Sequence, residues 1–343
     1  MKGMTITMNM NKWLKDLLEA DVKKTVPVLS FPSVQLLGIS VIELISNSDN
    51  QAKGMKLIAD KCDTGAAVSM MDLSVEAEAF GAEIKLSDDE VPTVVGKLLE
   101  DEDDVEALRV PEVGEGRTGL YVEAISKACK LITDRPVLAG VIGPFSLAGR
   151  LMDMTDIMCN CYTDPEMVAA TLKKTAEFIT KYILAFKAAG ANGVVIAEPA
   201  AGLLSPELNA EFSVPYVKSV VDAVQDENFC VIYHNCGNTV PLINDILTIG
   251  AGAYHFGNAI NMAELMPLIP SDILAMGNVD PAGQFRNGTV ESIREVTLKV
   301  MGECCPKYKN FVISSGCDIP PMASWDNIMS FFGAIDEYYL ANA

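Results

Sequence analysis

His234-Asn235-Cys236 is the sharpest chemical signal in the chain. The run before it, Phe229–Tyr233 (FCVIY), reads as a strand. In extended backbone, residues i and i+2 point the same way, so the His234 imidazole and the Cys236 thiol can reach one ion. Cys317 follows another strand-like run, inside Ser314-Ser315-Gly316-Cys317-Asp318. One imidazole and two thiols suit Zn²⁺, and three protein ligands leave the fourth position open, as in catalytic zinc sites. Gly237 and Gly316, beside the two cysteines, let backbone approach closely. An H-x-C pair can arise by chance and Cys317 can be core packing. Against that, the chain has nine Cys but two His, and one of those two lies in this motif. A zinc ion with an open position either activates water or lowers the pKa of a bound thiol. Two thiolate ligands make the ion a poorer Lewis acid, which favours alkyl transfer to sulfur over hydrolysis.

These side chains need strand ends to hold them. Strand-like runs occur at Val26–Phe31, Ala66–Asp72, Pro136–Val141, Gly193–Glu198, Phe229–Tyr233, Ala253–Phe256, Ile273–Met276 and Phe311–Ser314. They are apolar throughout rather than alternating, as strands covered on both faces are. Helical patterns separate them. Pro165–Ala189 repeats apolar residues at helical spacing behind an Asp164-Pro165 start, and Ser205-Pro206 opens a helix to about Val224. Thr289–Gly302 and Ser324–Leu340 are further helices. Eight strands, each followed by a helix or long loop, predict an α/β fold: one (β/α)8 TIM barrel over residues 1–343. A barrel takes ~250 residues. The excess is read as an N-terminal extension and an insertion or lid at residues 76–118, before the third strand. Nine acidic residues between Asp88 and Glu106 read as a solvated face rather than a dock for a basic partner. Active sites of such barrels lie on the loops after the strands, which collects Glu198, His234, Cys236, Asn258, Asn278, Asp280 and Cys317 at one rim.

His234-x-Cys236 after one strand, Cys317 after the last, and the segments YHNCGN and SSGCDIPP resemble the uroporphyrinogen decarboxylase superfamily. Within it they look like the branch of methylcobamide:coenzyme M methyltransferases and related corrinoid-dependent methyltransferases. The resemblance runs from about Val26 to the C-terminus. It implies that a zinc-bound thiolate attacks the methyl group of a methyl–Co(III) corrinoid, giving a thioether and Co(I). The methylcorrinoid would ride on a separate small corrinoid protein, and the acceptor would be a small-molecule thiol such as coenzyme M or homocysteine. Carried over, His234, Cys236 and Cys317 would hold Zn²⁺. The related cobalamin-independent methionine synthases add an acidic ligand further along. Here that stretch is Tyr254-His255-Phe256-Gly257-Asn258, without a carboxylate, so the fourth ligand stays open. By alternation His255 shares a face with Gly257, and it reads as a barrel-layer or helix-facing residue rather than a ligand.

The true decarboxylases of that superfamily differ from this chain. Their N-terminal loop supplies Arg to substrate carboxylates, and a His stands near the end of their last strand. Here Phe31-Pro32-Ser33-Val34-Gln35 follows the first strand, no Arg precedes Arg109, and Cys317 stands at the last strand. A polycarboxylate needs several bidentate cationic partners. They are scarce in a chain with six Arg and a net charge of −20. Asp72 falls where the decarboxylases keep an essential Asp, and reads either as a group of the substrate pocket or as a cap. A metal-free porphyrinogen carboxy-lyase is the alternative reading, and a non-catalytic corrinoid- or metal-binding module a third.

Glu198 could orient the thiol or relay its proton, or be a strand-end carboxylate bonded to loop amides. Asn278 and Asp280 could contact cofactor or thiol, although Asp280-Pro281 is also a helix start. Phe145 is either a wall beside corrin or substrate, or core. Cys159-Asn160-Cys161 and Cys304-Cys305 read as structural. The acidic charge excludes nucleic acid and anionic membrane as partners. The longest weakly polar run, Val137–Gly149, is broken by Gly140, Gly143 and Pro144, so no spanning helix is expected. Absence of a secretory pattern and an odd number of dispersed cysteines fit a reducing, cytoplasmic setting. A monomer and a homodimer are equally compatible with the sequence.

Overall fold

The apolar runs of the sequence become the strands of a curled parallel sheet. In the computed structural model, which describes residues 8–342, the strands are β1 (Ala67–Val68), β2 (Glu83–Lys85), β3 (Thr93–Val95), β4 (Val137–Ile142), β5 (Gly193–Ala197), β6 (Cys230–Asn235), β7 (Ala253–Phe256), β8 (Leu274–Val279) and β9 (Phe311–Ser315). Strands β1, β4, β5, β6, β7, β8 and β9 pair in that order, all parallel. β2 and β3 form a separate antiparallel hairpin.

The first expected strand, Val26–Phe31, is a correction: it has no backbone ladder. It nevertheless fills the gap between β1 and β9. Gly65 donates its N–H to Thr25 O at 2.8 Å. On the other side hydroxyls replace the ladder: Thr25 Oγ1 donates to Ile313 O at 2.6 Å, Ser314 Oγ to Val26 O at 2.8 Å, and Val28 N donates to Ser315 Oγ at 3.1 Å. Pro27 lacks the N–H that a regular strand would use. β1 is likewise shorter than its apolar run. Ser69 Oγ accepts from Gly140 N at 2.9 Å, and the chain then turns away.

The sheet has two apolar faces, as barrel strands require. The inner face carries Val28, Val68, Leu138, Val195, Ile232, Met276 and Val312. The N-terminal extension plugs its lower end. Helix Met10–Glu19 places Met10 and Leu17 in that inner core. Met10 N donates to Glu227 O at 2.7 Å and Trp13 Nε1 to Gly65 O at 3.0 Å, both just ahead of strands. The outer face is covered by helices, the longest being Pro165–Ala189, whose start Asp164 caps by accepting from Met167 N at 3.0 Å. The helix expected from Pro206 to about Val224 is two, Pro206–Phe212 and Val214–Val224. Pro215 cannot donate to the preceding turn, and the chain breaks at Ser213.

Between β1 and β4 lie helix Val75–Phe80, the β2–β3 hairpin, helix Glu102–Ala107 and helix Thr118–Leu131. Asp88, Asp89 and Glu90 are exposed, and Glu90 pairs with Arg286 at 2.7 Å. Among the described residues no helix is long and apolar enough to cross a membrane.

Candidate metal centre

Inward alternation along β6 runs Cys230, Ile232, His234, and the next inward position is Cys236, just past the strand end. Cys317 stands two residues beyond β9. A ring nitrogen of His234 and the two Sγ atoms all lie within 4.8 Å of one another. The spacing expected from the sequence is therefore realised on strands that are not neighbours.

Close approach is possible because β7 offers no side chain where Cys236 sits. A Cβ on Gly257 would lie 2.4 Å from Cys236 Cα and 2.5 Å from its Cβ. Gly237 packs just as tightly: a Cβ there would stand 2.7 Å from Gly202 Cα. On the Cys317 side, a Cβ on Gly316 would lie 3.0 Å from Asn258 N and 3.2 Å from Asn278 O.

His234 is buried, yet its Nε2 has no hydrogen-bond partner. Its Nδ1 lies 2.7 Å from Nδ1 of His255, its register partner on β7. A buried polar atom without a partner costs about 1–3 kcal/mol, so Nε2 is the atom of this imidazole that a metal ion would satisfy. The cysteines behave as a pair. The neighbouring Cys317 thiol and His234 push Cys236 below the usual thiol range despite partial burial. Cys317 is raised well above the usual thiol range by the same contact and by burial. Cys230, on the same strand without such neighbours, is pushed up to about 12 by burial alone. Soft thiolate and imidazole donors on a constricted, buried rim fit Zn²⁺.

A sequence profile of the uroporphyrinogen decarboxylase (URO-D) family matches residues 30–338. The chain belongs to the uroporphyrinogen decarboxylase family. It is 28% identical over 275 residues to the methylcobamide:CoM methyltransferase MtbA of Methanosarcina acetivorans, covering 78% of each chain. It is 26% identical over 282 residues to a uroporphyrinogen decarboxylase of Neisseria meningitidis, covering 77% of this chain and 76% of that one. A solved methyltransferase from Methanosarcina mazei superposes with a TM-score of 0.84 at 23% identity, over 97% of this chain and 99% of the other. A B12-independent methionine synthase from Shewanella superposes with a TM-score of 0.61 at 13% identity, over 94% and 96%. The two superpositions share the TIM-barrel fold.

In this family member the other rim residues fall into distinct places. Asn278 is buried and donates from Nδ2 to Gly257 O at 2.9 Å and to Ile260 O at 2.8 Å, so it pins the loop that lets Cys236 in. Asn258 is exposed on that loop beside Gly316. Glu198 is fully buried, and its carboxylate accepts from Phe145 N at 3.1 Å and Ser146 N at 2.6 Å. Burial pushes its carboxyl up to about 7, and Glu198 meets the His/Cys group only through its backbone, Glu198 N donating to His234 O at 2.8 Å. Asp280 caps helix Pro281–Arg286, accepting from Ala282 N at 3.0 Å and Gly283 N at 2.9 Å. Phe145 is wholly buried in the layer between sheet and helices. Asp72 is buried after β1, where Arg117 pairs with it and Tyr121 Oη and Ser74 Oγ each donate at 2.6 Å.

Two positions had no role in the sequence reading. Arg117, from the stretch before β4, links Asp72 to Glu78, the latter at 2.6 Å. Asp318, next to Cys317, accepts from Met71 N at 2.7 Å and so ties the exit of β9 to the exit of β1. Its carboxyl is buried and pushed up to about 8. Asp318 was visible in the sequence only as the neighbour of Cys317. Arg117 carried no signal, because its partners come from separate loops.

Proposed function

We propose that the chain moves a methyl group from a methylated corrinoid to a small-molecule thiol such as coenzyme M or homocysteine. The corrinoid would arrive on a small partner protein that docks over the rim formed by the strand ends. The observation that carries this reading is the His234–Cys236–Cys317 group, whose ligand atoms lie within 4.8 Å of one another and whose imidazole has a buried, unpartnered Nε2. The methyltransferase relative named above supports it. Bound by those three residues, Zn²⁺ would keep a substrate thiol ionised near neutral pH.

The protein's own part is to hold that constellation still. The contact with Cys317 and His234 favours the ionised form of Cys236, and binding a metal ion would draw protons off the thiols. Asn278 and Gly257 fix the loop against Cys236. Asp318 anchors the backbone directly after Cys317. Rigid placement of this kind converts a two-molecule reaction into one between held groups.

The carboxy-lyase reading draws on the decarboxylase relatives and on Asp72. Here Asp72 is already occupied by Arg117, Tyr121 and Ser74, and Arg117 is itself shared with Glu78. Arg117 is therefore engaged within the protein rather than free to bind a polycarboxylate. The deciding experiment mixes zinc-loaded protein with free methylcobalamin and a series of thiols, and follows the corrinoid absorbance. Thiol-dependent demethylation is expected. No demethylation with any thiol, alongside turnover of uroporphyrinogen, would replace this reading with the carboxy-lyase.

A further inference from the structure

Behind the proposed metal ligands lies a buried hydrogen-bond relay that reaches the far side of the barrel interior. We infer that His255 is a positioning residue: it accepts the Nδ1–H of His234 and thereby leaves the Nε2 lone pair of His234 facing Cys236 and Cys317. This rests on the metal-site reading above.

The direction of the relay follows from counting hydrogens. Val26 O can only accept, it is buried, and Ser314 Oγ lies 2.8 Å from it. The single Ser314 hydroxyl hydrogen therefore goes to Val26. The same oxygen lies 2.9 Å from His255 Nε2, so that nitrogen is the donor. An imidazole whose one hydrogen sits on Nε2 has none on Nδ1, so His255 Nδ1 is bare. At 2.7 Å from it, His234 Nδ1 must bring the hydrogen. A second observation agrees independently. His234 Nδ1 also lies 3.2 Å from the His255 backbone carbonyl, which only accepts. Reversing every bond would strip Val26 O of its donor and place a hydrogen on His234 Nε2, against the thiol pair.

Register explains how the relay is built. His234 and His255 are paired positions of adjacent parallel strands, both inward, with ring centroids 4.7 Å apart. Ser314 is the inward residue on β9 that closes toward the irregular Val26 segment. The irregularity of that first segment thus leaves a carbonyl unpaired, and the carbonyl fixes the tautomer two side chains away. Outer partners of metal-binding imidazoles orient the ring and raise its basicity.

The test compares His255→Leu, which keeps bulk but cannot accept, with His255→Asn, whose Oδ1 lies near the place of Nδ1 and can. Zinc affinity is measured by competition with a chromophoric chelator, and Co²⁺ spectra report the ligand field. Circular dichroism checks the fold. His255→Leu is expected to bind Zn²⁺ roughly 10–100-fold more weakly, and His255→Asn to recover most of that loss. Leu binding as tightly as wild type, or Asn as weak as Leu, would overturn the inference. ¹⁵N-detected imidazole spectra of the metal-free wild type supply a readout independent of metal and of both variants. The proton is expected on His234 Nδ1; finding it on Nε2 would overturn the relay. Failure of the wild type to bind either metal would instead overturn the metal-site reading, with the proton position still deciding the relay.

Discussion

In the proposed site Cys317 gives the second sulfur beside the His234–Cys236 pair, with the three ligand atoms within 4.8 Å of one another. Cys317→Ala should lose most of the zinc that purified wild-type protein carries, and elemental analysis reads this directly. Full zinc content in that variant would remove Cys317 from the ligand set. A second residue-scale prediction concerns acid–base balance. Glu76 is fully buried and burial pushes it up to about 8, so it is protonated in the fold. Once unfolded it ionises in the ordinary carboxylate range. The stability it contributes is present at low pH and lost as pH rises through about 8, with a slope of about 1.4 kcal/mol per pH unit while only the unfolded form is ionised. Urea unfolding from weakly acidic to weakly alkaline pH should therefore show falling stability, and Glu76→Gln should flatten the fall. An unchanged slope would contradict the assignment. That His234 and Cys236 share a face was legible because i, i+2 alternation is local, and Cys317 joins them through the order of the strands. The settings of Asp72 and Glu198 were not, because Arg117 and the Phe145 and Ser146 amides arrive from other segments.

At the scale of elements, the register between β6 and β7 decides whether the site exists. Gly257→Ala would drive a methyl group to 2.4 Å from Cys236 Cα, backbone that cannot swing aside. Zinc binding should fall sharply and the thermal midpoint should drop. Gly302→Ala is the contrast: it lies within helix Val290–Cys304 and a Cβ there meets nothing within 4 Å. It should stabilise the protein by about 0.5–1 kcal/mol, measured by chemical denaturation. A neutral Gly257→Ala would show that the two strands sit further apart than described. Most strands could be read from their apolar runs, and the Pro165–Ala189 helix from its cap and period. The first segment could not, because hydroxyls of Thr25, Ser314 and Ser315 take over its ladder, a substitution that hydropathy does not register.

For the whole molecule, the N-terminal helix is part of the barrel's interior. Met10 is fully buried against the inner core. Met10→Ala should cost about 2–5 kcal/mol of stability, seen in the denaturation midpoint, while the wild-type zinc stoichiometry persists in the folded fraction. Loss of zinc at full foldedness would mean that the plug and the rim are coupled. The central claim is that His234, Cys236 and Cys317 hold zinc with one position kept for a thiol. Zinc-edge X-ray absorption before and after adding coenzyme M or homocysteine tests it most directly. Two sulfur ligands and one imidazole nitrogen are predicted at first, rising to three sulfurs with the thiol; a sulfur count that does not rise would contradict the account.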